Sequence, residues 1–296
     1  MALLAGTNYD PAVAVSKATT SLLAMTAFDT TNLRLTFTAP TNGNVLVRIR
    51  VTESGANTNP EILLGVLSGA TVVARQCPIG ALGGTAASTT GVTQEALFTV
   101  TGLSGSQTWD AAYAVQVLLA TTDLRYGGPN DTTANNAWGG ISFEVFEAPN
   151  LLGSIMYDPS SAVSQSTAND LAITAIDTTN LRIVFTAPAT GKVLVRLRGV
   201  LHGATTYPQI LLGVLQSSTV IGRSDPIGGL RASALATSQL AQEAEFVVTG
   251  LSGSYTWDAA YGVETLVAST GLKYGGPNDS SGNDAFGGFL FEVWSV

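Results

Sequence analysis

The side chains of this chain that could do acid–base work are carboxylates. Glu95, Asp110 and Glu144 recur later as Glu243, Asp258 and Glu292. A glycosidase needs only two carboxyls some 5–9.5 Å apart, so such a set must be weighed. All six, however, fall on the polar phase of strand-like segments, where a carboxylate is solvated or paired with arginine. Nucleophilic catalysis has less to work with. The sole histidine, His202, corresponds to Ser54 in the other half of the chain, so no Ser/His/Asp or Cys/His arrangement can exist twice. One histidine is also too few for a transition-metal site of the two-histidine kind. The one cysteine, Cys77, stands opposite Asp225, which rules out an internal disulfide and a paired-thiol metal site. These residues point to a protein that is not an enzyme, with no catalytic residue, no metal and no cofactor.

Binding chemistry has one candidate. TyrGlyGlyProAsnAsp begins at Tyr126 and again at Tyr274. Asn130 and Asp131, with Asn278 and Asp279, place oxygen ligands on a glycine-rich loop that could take Ca²⁺ or a sugar, with Tyr126 and Tyr274 as stacking faces. The same residues also suit a purely structural loop whose Asn and Asp side chains hydrogen-bond their own turn.

The elements that position these groups are written twice. Displaced by 148 residues, the sequence aligns with itself without a gap and matches at roughly 80 positions. A period this long predicts two complete domains, residues 1–148 and 149–296, each with its own core. Within a copy the apolar residues alternate with period two: Leu33, Leu35 and Phe37, then Val45, Val47, Ile49 and Val51. Asn42-Gly43 between these runs predicts a hairpin. Further strands are expected from Glu61, Thr71, Gln94, Thr108 and Gly140. Seven or eight strands per copy with little helical periodicity predict an all-β protein of two tandem, near-identical antiparallel β-sandwich domains, jelly-roll-like in topology. The expected cores hold Phe37, Phe98, Trp109, Tyr113 and Phe143, with Phe185, Phe246, Trp257, Tyr261 and Phe291.

Composition narrows the partners. Charged residues are 11% of the chain, and the net charge is -8 with only 13 Lys and Arg, scattered, so no nucleic-acid partner is expected. No stretch has the apolar length of a membrane span, and the first residues lack the basic start of a secretory signal, so a soluble protein made in a cytoplasm is expected. Leu46, Phe146, Leu194 and Trp294 are apolar at outward positions and are the candidate contact residues.

Several segments together, PheThrAlaPro…ValLeuValArg, GlyLeuSerGlySer…ThrTrpAspAlaAlaTyr, TyrGlyGly and a closing PheGluVal plus an aromatic, resemble small β-sandwich proteins encoded among the virion genes of tailed bacteriophages. The likeness spans nearly all of each copy. It implies a tail, fibre or capsid-decoration component of a virion that binds other virion proteins, commonly as a homotrimer. A module binding a host surface glycan at a tail tip is the alternative. The resemblance supplies no functional residues.

Overall fold

The computed structural model describes residues 1–17, 25–55, 61–76, 84–85, 92–115, 124–128, 139–161, 163–165, 172–203, 209–224, 232–233, 240–263, 272–275 and 288–296. These form two compact units that divide between Pro149 and Asn150. The first holds β1 (Leu3–Tyr9), β2 (Val15–Lys17), β3 (Thr26–Ala27), β4 (Arg34–Thr38), β5 (Val45–Gly55), β6 (Glu61–Ser68), β7 (Thr71–Arg75), β8 (Gly84–Thr85), β9 (Val92–Val100), β10 (Ser106–Val115), β11 (Leu124–Tyr126) and β12 (Ile141–Glu147). The second repeats them as β13 (Leu151–Tyr157), β14 (Val163–Gln165), β15 (Thr174–Ala175), β16 (Arg182–Thr186), β17 (Val193–Gly203), β18 (Gln209–Gln216), β19 (Thr219–Arg223), β20 (Ala232–Ser233), β21 (Leu240–Val248), β22 (Ser254–Val263), β23 (Leu272–Tyr274) and β24 (Phe289–Ser295). Among the described residues there is no helix, and hence none long and apolar enough to cross a membrane.

Each unit is an antiparallel sandwich. In the first, one sheet runs β1-β12-β5-β9 and the other β4-β10-β6-β7, with the short strands extending their ends. Numbered along the chain, the eight longer strands therefore lie 1-8-3-6 over 2-7-4-5, which is the jelly-roll order. The second unit has the same arrangement.

That order corrects the expected hairpin. Asn32 to Pro40 and Asn44 to Val51 are strands, but β4 pairs with β10 and β5 with β12 and β9. The tight turn is present, since Gly43 N–H donates to the Pro40 carbonyl at 2.8 Å. It carries the chain from one sheet to the other. Period-two alternation looks the same whether two successive strands share a sheet or face each other across a core, and a jelly roll uses the second option at nearly every turn. Among the described neighbouring long strands, β6 and β7 form a hairpin within one sheet, as do β18 and β19 in the second unit.

The inward phase builds the core. Phe37, Phe98, Trp109, Tyr113 and Phe143 are buried in the first unit, and Phe185, Trp257, Tyr261 and Phe291 in the second, with Phe246 half-buried against them. Central strands are covered on both faces. Leu63, Leu64, Val66 and Leu67 are all buried, and a Cβ on Gly65 would stand 2.6 Å from the Met25 sulfur, so glycine there lets Met25 lie flat on the outside of β6.

Divergence between the cores is compensated. Phe28, Ile141 and Val51 of the first unit correspond to Ile176, Phe289 and Gly199 of the second. In the first, the Phe28 ring meets Tyr126 edge-on at 5.6 Å; in the second, Phe289, from the same sheet as Tyr274, meets that tyrosine at 5.2 Å. One aromatic and one aliphatic residue have exchanged places at nearly constant volume. Gly199 makes this possible, because a Cβ there would lie 2.6 Å from the Phe289 ring. Gly199→Val, which installs the first unit's residue, is expected to destabilise the second unit by about 1–3 kcal/mol through overpacking. Adding Phe289→Ile should recover part of that loss. A thermal melt in which Gly199→Val costs nothing would show that the two substitutions are independent.

Candidate functional site

Alternation fixes where each carboxylate points. Trp109 and Ala111 face the core, so Asp110 between them projects from the outer face of the β4-β10-β6-β7 sheet. Phe143 and Val145 likewise send Glu144 out of the opposite sheet. The two carboxyls therefore look away from one another across the sandwich and form no glycosidase-like pair. Each is held by arginine. Arg34 donates to Asp110 through Nε at 2.7 Å and through its terminal nitrogen at 2.9 Å, and Arg182 holds Asp258 in the same bidentate way at 2.7 and 3.0 Å. These contacts raise both guanidinium pKa values above the ordinary one. Arg48 meets Glu144 at 2.7 Å and Arg50 meets Glu95 at 2.9 Å. In the second unit Arg196 stands among Glu243, Glu245 and Glu292, and Arg198 also reaches Glu243. All six singled-out carboxylates are thus arginine-paired. Among the described residues no group of His, Cys, Asp and Glu could hold a metal ion.

The stacking role expected for Tyr126 and Tyr274 is corrected. Each ring is 1% exposed and belongs to a core cluster, so neither face is open to a ligand. The backbone after each explains the motif. Gly127 has φ of 81° and its missing Cβ would strike the Pro11 ring, while Gly128 N–H donates to the Pro11 carbonyl at 2.8 Å. Gly275 repeats the fit on Pro159 with φ of 82°. Gly140 and Gly288 press as closely on Asp10 and Asp158. TyrGlyGly and TyrAspPro are therefore two halves of one clasp. Asn130, Asp131, Asn278 and Asp279 lie outside the described residues, as does Cys77. His202 lies in β17, opposite Lys273.

Another recurring motif is also structural. In AspThrThrAsn, Asp29 accepts from the backbone of Thr31 and Asn32 at 2.8 and 2.9 Å and from the Asn32 amide at 3.0 Å; Asp177 does the same. Burial disfavours these charges, yet the hydrogen bonds hold both carboxyls below the ordinary value.

The outer face of the β1-β12-β5-β9 sheet carries three cross-strand rows. Leu3, Phe146, Leu46 and Thr99 form one, Glu144, Arg48 and Leu97 the next, and Asn8, Ser142, Arg50 and Glu95 the third. The first row of the second unit is Leu151, Trp294, Leu194 and Val247. Leu46, Phe146, Leu194 and Trp294, expected to stand outward, are on this face but only half-exposed. They cover one another across the strands. Arg48 also lies over the Phe146 ring at 5.1 Å, and the Trp294 indole N–H donates to Glu292 at 3.1 Å. The most exposed members of the apolar rows are Leu3 and Val247, each 56% open, which the sequence reading did not single out as outward contacts. Beside the third row of the first unit lies an open cleft of about 490 Å³. Sequence reasoning missed it, since its residues come from four separated segments.

No protein-family model matches the chain, and no curated protein matches it. Solved structures similar to it in outline include the tandem CBM51 modules of a family 98 glycoside hydrolase from Streptococcus pneumoniae, at 11% identity over 100% of this chain and 97% of that one, with a TM-score of 0.22. N-glycanase F is similar at 11% identity, covering 96% and 99%, with a TM-score of 0.34. The VP2 subviral particle of infectious bursal disease virus is similar at 10% identity, covering 97% and 78%, with a TM-score of 0.28. Scores this low carry no argument about function.

Burial of the tyrosines has a measurable consequence. Loss of hydration pushes Tyr113 and Tyr274 up to about 12, with the nearby Asp177 charge adding to the second, and raises Tyr126 as well. A phenol whose folded pKa lies above its unfolded value of about 10 contributes stability that is complete below pH 10 and is lost as pH rises towards 12. Absorbance titration of the eight tyrosines should therefore show a step that comes only together with alkaline unfolding. A single step near 10 with the fold intact would contradict the burial.

Proposed function

We propose that this chain is a non-enzymatic structural protein of a virion, of the kind built into tailed bacteriophages as a tail, fibre or capsid-decoration component, that binds neighbouring virion subunits through the outer faces of its two sandwiches. The observation that carries this reading is the apolar cross-strand row, Leu3–Phe146–Leu46 in one unit and Trp294–Leu194–Val247 in the other. Both lie at the same register on the same outer face.

Physical chemistry favours assembly over catalysis at this surface. A row of half-exposed Phe, Trp and Leu beside an arginine–glutamate row has the apolar centre and charged border of a protein contact. The paired carboxylates support the same reading, because an ion pair on a strand fixes register and is poorly suited to exchanging protons. The resemblance to virion β-sandwich proteins adds the setting. Identical subunits usually close by symmetry, so a homotrimer presenting six similar sandwiches is the proposed assembly.

Light scattering on the full chain tests this, with a trimer giving three times the 30.4 kDa of the monomer. Phe146→Asp combined with Trp294→Asp places charges in the apolar rows while leaving the cores alone. The expected outcome is dissociation to monomer with little change in far-UV circular dichroism. A trimer that survives both substitutions would move the contact elsewhere. A parent that stays monomeric in solution and also fails to join the particle would overturn the proposal.

A further inference from the structure

The cleft of the first unit is lined by polar residues that its fold does not require. Asn8, Ser142 and Arg50 stand side by side on β1, β12 and β5, and Asp10, Thr93 and Glu144 complete the lining. Buried Val51 and Ile141 close it from the core side. No described residue hydrogen-bonds the side chain of Asn8, Asp10 or Ser142.

The second unit shows what the framework does without this lining. Its matching row reads Met156, Leu290, Arg198 and Glu243, with Ala241 in place of Thr93. Leu290 is only 3% exposed. Tyr9, Asp10, Gly140, Arg50 and Glu144 are kept as Tyr157, Asp158, Gly288, Arg198 and Glu292, so the clasp and the ion pairs are common property. The differences fall on the three positions that supply an amide and two hydroxyls, and on Val51 and Ile141 beneath them, which become Gly199 and Phe289. A stable sandwich is thus compatible with apolar residues here, and the polar set in the first unit serves something other than folding.

From this juxtaposition we infer that the cleft bounded by Asn8, Asp10, Arg50, Thr93, Ser142 and Glu144 is a binding site for a neutral sugar residue, present in the first unit and absent from the second. The inference is independent of the assembly reading.

Its chemistry selects that class. A sugar needs donors and acceptors in alternation, and the cleft offers an amide with both, two hydroxyls with both, a guanidinium donor and carboxylate acceptors. Arg50 is tied to Glu95 through Nε at 2.9 Å, which holds its fork in place beside the row. The lining carries Asp10, Glu144 and Arg50, with Glu144 paired to Arg48 and Arg50 to Glu95, so no cation is left over for an anionic sugar, which is disfavoured. The volume of about 490 Å³ falls within the roughly 300–1,000 Å³ of small-molecule sites. Mounting on adjacent strands rather than on a loop keeps the donors fixed before the ligand arrives.

The test uses the full chain, with glucose, galactose, N-acetylglucosamine and N-acetylneuraminic acid as probes in saturation-transfer NMR and titration. At least one of the three neutral sugars should bind, and N-acetylneuraminic acid should bind more weakly. Asn8→Met with Ser142→Leu copies the second unit and should weaken that binding by about tenfold or more, with the melting curve little changed. Should that pair fail to fold, Thr93→Ala, also taken from the second unit, is the milder variant with the same expected direction. No response to any neutral sugar, preference for the anionic one, or binding untouched by these variants would overturn the inference.

Discussion

Each unit depends on one strand pair that is clamped on both faces. Inside, Trp109 of β10 meets Phe37 of β4 edge-on at 4.8 Å and 83°, and Trp257 meets Phe185 at 4.7 Å and 75°. Outside, the next residue along the same strand, Asp110 or Asp258, takes the bidentate arginine of the same partner strand. Sheet geometry forces this alternation, since successive side chains leave opposite faces. A slip of one residue would turn the carboxylate, already buried under its arginine, into the apolar core and send the indole outward at once, so the register of β10, and with it the seating of β6 and β7 beyond, has one acceptable solution. The clasp of TyrAspPro against TyrGlyGly plays the corresponding role at the rim. It sets where β1 ends and β12 begins, and so where Asn8 and Ser142 come to lie.

A duplicated scaffold separates what folding needs from what surroundings need. The strand pair, the clasp and the AspThrThrAsn turn occur twice with nearly the same distances. Core differences come in compensating sets, as with Phe28, Ile141 and Val51 against Ile176, Phe289 and Gly199. Differences on the outer face change polarity rather than volume alone. Asn8 and Ser142 become Met156 and Leu290 together, and Leu97 and Thr99 become Glu245 and Val247, which changes the chemistry that the face presents. Changes of polarity on an outer face are where two units of one scaffold can take different neighbours or ligands.

Much of the fold was legible in the sequence because alternation and repetition are local or self-referential signals. Leu33, Leu35 and Phe37 announce a strand and its inward face without any knowledge of the partner. Which sheet that strand joins is decided by contacts about seventy residues away, between β4 and β10, and Asn42-Gly43 reads the same in a hairpin and in a crossing between sheets. The candidate site was less legible for a related reason. Tyr126 beside two glycines looks like a displayed aromatic, and only the approach of Pro11 shows that the glycines exist to let the chain fold back over a buried ring. Asp110 and Glu144 read as a possible pair by type, whereas their phases place them on opposite faces. The cleft was invisible because Asn8, Arg50, Thr93 and Ser142 are unremarkable singly and become a set only through strand register.

Two self-sufficient sandwiches, each closed around its own Trp–Phe contact, are the premise from which the assembly and binding readings proceed. Scanning calorimetry of residues 150–296 produced alone tests that premise most directly. A cooperative, reversible transition, with a heat of unfolding in proportion to its length at about 0.7 kcal/mol per residue, is the predicted result. A fragment that melts without a cooperative transition, and regains one only when joined to residues 1–149, would contradict it.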